Sequence, residues 1–261
     1  MSAQPVFHGI PTALRQSGRA DGVPCLAVHG FAADMSVWML VEPALRETCT
    51  LTMLDLPGHG ATAPVLPTGG LDGFGAHLSA VLDSLTLGPV WLLAHSFGAA
   101  VAIRAAALDP SRVAGVILIA PAGLGAEVDA DFVNDLCAAA DATAMRATLG
   151  RMLSRPGMIT PAMAQSVFVQ MQDPERGAAL RSVAALLPGL QAALAPHLAA
   201  MAHLPVHIIR GTSDAIIAPD AALPDCWQRA SLHQIDGAGH LPQLESPAPT
   251  LAAIRAAMGV P

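Results

Sequence analysis

Ser96 sits where an apolar run, residues 90–93, passes through His95, Ser96, Phe97 and Gly98 into a strong helix-forming stretch, residues 99–108. A serine hydroxyl at a sharp strand-to-helix bend stands clear of the sheet and can attack a carbonyl. The bend needs small neighbours, and Ala94, Gly98, Ala99 and Ala100 supply them. The pattern usually has Gly where this chain has Ala94, the next smallest residue. Taken alone, the same residues also describe a serine that merely caps a helix.

A serine hydroxyl is a weak nucleophile until an imidazole takes its proton, and a carboxylate must fix the tautomer of that imidazole. Two later loops supply these groups at the ends of expected strands. Residues 206–210 end in Gly211, Thr212, Ser213 and Asp214, and residues 231–235 end in Asp236, Gly237, Ala238, Gly239 and His240. The chain order Ser96, Asp214, His240 is one that this chemistry uses. Asp220 and Asp225 are the rival acids, further from the strand end. His29, His59, His95 and His233 are rival bases, each tied to an earlier loop or strand or to the strand before His240. Acyl transfer also needs hydrogen-bond donors for the oxyanion, worth about 3–4 kcal/mol each. The N–H of Phe97, after the nucleophile, is one. The N–H of Phe31, in His29-Gly30-Phe31 after an early strand, is the other, with Gly30 letting the backbone turn.

These groups must be held by a scaffold, and the rhythm of the chain describes one. Short strands are expected at 4–9 and 12–17, then buried strands at 24–28, 50–54, 90–93 and 113–119. Asp34 is placed to cap a helix carrying Trp38, which Pro43 interrupts or restarts, and residues 71–87 read as a helix. Strands alternating with helices imply a parallel sheet with right-handed crossovers. From 124 to 204 no strand is evident, only Ala- and Met-rich helical pieces broken by Pro156-Gly157, Thr160-Pro161, Asp173-Pro174 and Pro188-Gly189. The strand rhythm resumes at 206–210, followed by a helix near 220–229, a strand at 231–235 and a closing helix at 248–258. The expected organisation is therefore a core of residues 1–123 and 205–261 with a helical lid at 124–204.

Composition excludes several classes. The 261 residues are 53% hydrophobic and 13% charged, as in a globular chain. A net charge of −7 without a basic cluster argues against nucleic acid or an anionic membrane as partner. All 13 basic residues are Arg, so Schiff-base, pyridoxal-lysine and lipoyl-lysine chemistry and a Walker phosphate loop are excluded. Tyr is absent too. Cys25, Cys49, Cys137 and Cys226 show no metal-ligand spacing and read as free thiols of a reducing, cytoplasmic compartment. No signal peptide is evident. Residues 182–209 contain one Ser and no Asp or Glu, yet Pro, Gln and His interrupt them, so they read as buried helices rather than a membrane span. Neither a metal nor a cofactor is expected, and the oligomeric state is open.

With four motifs in this order, residues 23–258 resemble the α/β-hydrolase family. His29-Gly30-Phe31 with Trp38 downstream resembles its oxyanion segment, which makes Gly30 and Trp38 candidates for the substrate pocket. Asp55-Leu56-Pro57-Gly58-His59-Gly60 resembles a structural loop of the family, with His59 packing beneath the site. The resemblance implies a mostly parallel eight-stranded sheet with flanking helices and a helical lid after the sixth strand. Residues 120–129 resemble the hydrolase-like portion of acyltransferase subunits of acetoin dehydrogenase complexes. That acyltransferase activity is not implied, because this chain has no lysine to bear lipoate. The reading is a serine hydrolase acting on a carboxylic ester or related acyl substrate. Carbon–carbon bond hydrolysis of meta-cleavage products, acyl transfer or perhydrolysis by the same residues, and a non-catalytic ligand receptor are its alternatives. Meta-cleavage hydrolases often carry Asn where this chain has His95. Phe132, Met145, Met152, Met158, Met163, Phe168 and Met171 are candidates for lid contacts with an apolar substrate. Arg146, Arg151, Arg155, Arg176 and Arg181 are expected in solvent; one turned inward would favour a carboxylate-bearing substrate.

Overall fold

The computed structural model describes residues 4–85, 88–227 and 229–261. Nine strands occur among them: β1 (Val6–Phe7), β2 (Ile10–Pro11), β3 (Leu14–Gly18), β4 (Val23–Val28), β5 (Cys49–Leu54), β6 (Val90–His95), β7 (Val113–Ile119), β8 (Val206–Gly211) and β9 (Ser231–Ile235). The main sheet has seven strands in the order β3-β5-β4-β6-β7-β8-β9. β3 is antiparallel to β5, and every other pairing is parallel. The central strands are apolar on both faces because helices cover both sides, as parallel sheets require. Leu26, Leu92, Leu93, Val116 and Ile117 are fully buried.

The expected eighth strand is not in this sheet. His8 (φ 49) and Gly9 (φ 79) turn the chain back, so residues 4–9 hold only β1, which pairs with β2 in a separate two-stranded ribbon. The helical insertion accordingly follows the fifth strand of a seven-stranded sheet.

The helices are α1 (Glu42–Leu45), α2 (Leu71–Ser84), α3 (Phe97–Leu108), α4 (Ala130–Ala138), α5 (Ala142–Gly150), α6 (Pro161–Gln172), α7 (Pro174–Ala184), α8 (Leu190–Leu194), α9 (Pro242–Glu245) and α10 (Pro247–Met258). None of the described helices is long and apolar enough to cross a membrane. α3 is so rich in Ala that it lies flush on the sheet, with Ala99, Ala100 and Ala102 wholly buried, and Phe74 of α2 meets Phe97 edge-on at 5.3 Å. The insertion between β7 and β8 is built of short helices with their own caps. Asp129, Asp141, Thr160 and Asp173 each accept a first-turn N–H, and Pro follows the cap in α6 and α7. Thr160-Pro161 and Asp173-Pro174 thus start helices as well as ending them.

The helix expected over 71–87 ends at Ser84, and residues 86–87 lie outside the described residues. Near 220–229 only the 3-10 turn Asp225–Trp227 forms among the described residues, residue 228 lying outside them. Asp220-Ala221-Ala222-Leu223-Pro224 offers too few apolar positions at helical spacing, and Pro224 breaks the pattern.

Candidate active site

The topology reverses between β4 and β6: β4 pairs with β5 on one side and β6 on the other, the chain going from β4 out to β5 and from β6 out to β7 in the opposite direction. Ligands of open α/β sheets bind beyond the carboxyl ends of the strands at such a switch point. The loop after β4 and the bend after β6 meet there, and the loops after β8 and β9 complete the rim.

Ser96 occupies the bend with φ 52 and ψ −119, a conformation that L residues rarely adopt. Its N–H donates to Ile119 O at 2.9 Å, and its carbonyl accepts from Ala99 N–H at 2.9 Å and Ala122 N–H at 3.2 Å. The backbone is fixed on both sides, so the side chain projects from the sheet.

The structure brings Ser96, His240 and Asp214 together. His240 Nε2 lies 3.0 Å from Ser96 Oγ, and His240 Nδ1 lies 2.9 Å from Asp214 Oδ2. An ionised carboxylate only accepts, so Nδ1 carries the proton and Nε2 presents its lone pair to the serine hydroxyl. Asp214 Oδ1 accepts from Ile216 N–H at 2.8 Å and Ile217 N–H at 3.0 Å. Burial raises the Asp214 pKa, but neighbouring His240 and these two N–H groups outweigh it and hold the carboxyl below its ordinary range. Among the described residues, neither of the rivals Asp220 and Asp225 meets His240 Nδ1, which is bonded to Asp214.

Phe31 lies in the loop after β4 and Phe97 directly follows Ser96, and neither N–H has a hydrogen-bond partner among the described residues. Gly30 packs against the bend: a Cβ there would meet His95 Nδ1 at 2.8 Å and Ser96 Cβ at 3.0 Å. His29 sets the peptide that follows. Leu56 N–H donates to His29 Nε2 at 2.9 Å, so Nδ1 holds the proton and donates to Gly30 O at 2.7 Å. In a trans peptide the C=O and N–H point opposite ways, so fixing the Gly30 carbonyl fixes the Phe31 N–H. Asp55 braces the same loop, its Oδ1 accepting from Met35 N–H at 2.8 Å and its Oδ2 from Ala61 N–H at 2.7 Å.

His95, read from the sequence only as a rival base, holds the backbone of His240. Its Nε2–H donates to His240 O at 2.9 Å, and the two rings meet edge-on at 4.9 Å. Burial, then the neighbouring His240, pushes its pKa down to about 3, so it stays neutral. His59 is pushed down to about 3, chiefly by burial; it packs on His29 at 5.2 Å and on Phe31 at 6.2 Å. His233 lies away from the site, 3.4 Å from His207.

Ser96 and His240 open into a cavity of about 360 Å³ with mainly apolar walls. Phe132, Leu136, Leu149, Met152, Ile159 and Met163 of the insertion form one side, and Phe31, Val37 and Met39 the other. Trp38 does not line it. Its ring is fully buried in the core, and the 3-10 turn Met35–Trp38 gives the cavity Ser36 and Val37 instead. Of the seven Met and Phe candidates in the insertion, Phe132, Met152 and Met163 face the cavity, and Met145 and Met171 are core. Among the described residues, no arginine is in the cavity wall and Asp34 is its only Asp or Glu. Arg146, Arg176 and Arg181 donate to backbone carbonyls, and Arg151 pairs with Asp129 and Asp135.

The alpha/beta hydrolase family model matches residues 25–253, and the chain belongs to that family. It is 32% identical over 238 residues to the dihydrolipoyllysine-residue acetyltransferase component of the acetoin cleaving system of Pseudomonas putida, covering 88% of this chain and 61% of that protein. The chain thus spans about three fifths of that relative's length. It is also 35% identical over 114 residues to a monoacylglycerol lipase of Homo sapiens, 42% of this chain and 34% of that one. Among solved structures, a serine hydrolase from Cycloclasticus zankles superposes with a TM-score of 0.82 at 19% identity, covering 97% and 96% of the two chains. A meta-cleavage product hydrolase from Pseudomonas fluorescens does so at 0.80 and 20%, again covering 97% and 96%. At such identities these two show a shared fold.

Proposed function

We propose that the chain is a serine hydrolase that cleaves carboxylic esters or related acyl substrates through an acyl-enzyme. The observation that carries this reading is the unbroken relay from Ser96 Oγ through His240 to Asp214 at the floor of an apolar cavity. In the first step Ser96 Oγ attacks the carbonyl carbon while His240 Nε2 takes its proton, and Asp214 stabilises the imidazolium. The N–H groups of Phe31 and Phe97 hold the oxyanion. His240 then protonates the leaving alcohol, and water activated by the same nitrogen releases the acid. The insertion acts as a lid whose inner wall selects the acyl group by shape. The described wall is mainly apolar and carries no arginine, which favours neutral, apolar acyl groups of moderate size. The four free cysteines support a reducing, cytoplasmic setting.

The test is a panel of p-nitrophenyl esters and thioesters of rising acyl length, run on wild type and Ser96→Ala, with a fluorophosphonate probe to label Ser96. Wild type is expected to turn over the neutral esters and take the label, and the variant to do neither. Equal turnover by both proteins removes the assignment.

A further inference from the structure

Glu245 closes α9 and is buried, yet the relay does not use it. Its Oε1 accepts from Gly239 N–H at 2.7 Å, the residue before His240. Its Oε2 accepts from both the N–H (2.9 Å) and the hydroxyl of Ser154, in the insertion. Arg155 of the same segment donates to the Glu245 carbonyl. Alongside, His240 N–H donates to Met152 O at 2.7 Å, and Met152 lines the cavity. The approach is too close for any side chain at position 239: a Cβ there would meet Met152 O at 2.5 Å, Glu245 Oε1 at 2.8 Å and Leu153 Cα at 3.0 Å.

We propose that Glu245 is a positioning residue for His240, its carboxylate fastening the turn at 239–240 to insertion residues 152–154, so that substrate packing against Met152 and seating of the imidazole become one event. This rests on the reading of His240 as the general base. The carboxylate suits the task because three donors from two separate segments converge on it, and only an acceptor with several lone pairs can serve them together. Backbone on both sides of His240 is then held, by Met152 O at its N–H and by His95 at its carbonyl.

The experiment compares wild type with Glu245→Ala, Glu245→Gln, Ser154→Ala and Gly239→Ala. It reads kcat and KM on a short ester, the rate of fluorophosphonate labelling, and the downfield proton resonance of His240 Nδ1–H. A misplacement of about 1 Å costs on the order of 100-fold in rate. Glu245→Ala is therefore expected to lose about that much in kcat and in labelling rate, with KM for the short ester unchanged and the resonance broadened or lost. Gly239→Ala, which keeps the carboxylate but blocks the approach, is expected to reproduce this. Glu245→Gln, with one amide oxygen left, should fall between, and Ser154→Ala, which keeps the backbone donor, should stay near wild type. A folded Glu245→Ala protein with wild-type kcat and an intact resonance overturns the proposal. If that variant does not fold, Gly239→Ala with both quantities intact overturns it equally. Wild type that turns over no ester and takes no label sinks the hydrolase reading instead, and the resonance comparison still decides the clamp.

Discussion

The floor and the roof of the cavity are built on different physics. On the floor, at the strand ends, Ser96, His240, Asp214, His95 and His29 are held by directed hydrogen bonds. Across from them, Phe132, Leu136, Leu149, Ile159 and Met163 present apolar surface held by packing. Directed bonds fix atoms to fractions of an ångström, whereas packing fixes volume and tolerates exchange of similar side chains. Reaction should therefore depend steeply on single atoms of the floor, and selectivity gently on the roof.

The sharpest way to break that contrast is Ser96→Ala, expected to lower kcat on p-nitrophenyl esters by roughly 10⁴-fold or more; a loss of a few-fold would put the chemistry elsewhere. Asp214→Asn comes next. It keeps the shape but offers His240 the wrong partner for its tautomer, and the loss expected in kcat is on the order of 10⁴-fold with KM nearly constant. Steady-state kinetics on one ester measures both.

Of these floor residues, Ser96, Asp214 and His240 are picked out by the sequence as one set, while His95 stands there only as a rival base. Ser96 and Asp214 stand just past β6 and β8, strands whose runs of buried residues stop abruptly. β9 is largely exposed, so His240 is read instead from the glycines of Gly237-Ala238-Gly239 that mark the loop before it. Roof residues were harder to read because Ala and Met occur on every side of those helices, so no stripe marks the inner face: Met145 is core while Met163 faces the cavity. Trp38 is a pocket candidate only through its place downstream of His29-Gly30-Phe31, and the turn Met35–Trp38 buries it in the core. Residues 4–9 read as one strand because the left-handed turn at His8 and Gly9 costs the alternation pattern nothing. Glu245 reads as an ordinary helix charge, since its donors come from residues 90 and 91 positions earlier as well as from Gly239.

A smaller effect separates floor from roof by pH. His59 and His95 are pushed down to about 3 and His77 to about 4, all chiefly by burial. The unfolded chain binds protons at these positions below about 6.5, and the folded chain does not until far lower. Stability is thus complete above about pH 6.5 and is lost as pH falls through the window down to about 3, with Asp214 adding loss of the same sign at its lower end. Thermal melts from pH 8 to 4 should show Tm falling below about 6.5, and His59→Gln should make the fall shallower. An unchanged slope in the variant would mean that His59 carries none of it.

The least effect belongs to the roof. Met163 is 40% exposed, so Met163→Ala should barely move Tm. Each methylene of contact is worth about 0.8 kcal/mol, close to fourfold. A rise of that order in KM for long-chain esters is expected, with short-chain esters unaffected. A matching fall in kcat on short esters would erase the division of labour between the two surfaces.

The backbone at residue 96 has a further consequence. At φ 52 and ψ −119 a glycine would be at ease, while any L side chain carries a penalty of about 1–3 kcal/mol. Left to folding alone, the chain would do better with Gly at that point, and a Ser96→Gly protein should melt at a higher temperature than the native one while being inert. On the proposed reading, durability and turnover therefore pull this one position in opposite directions.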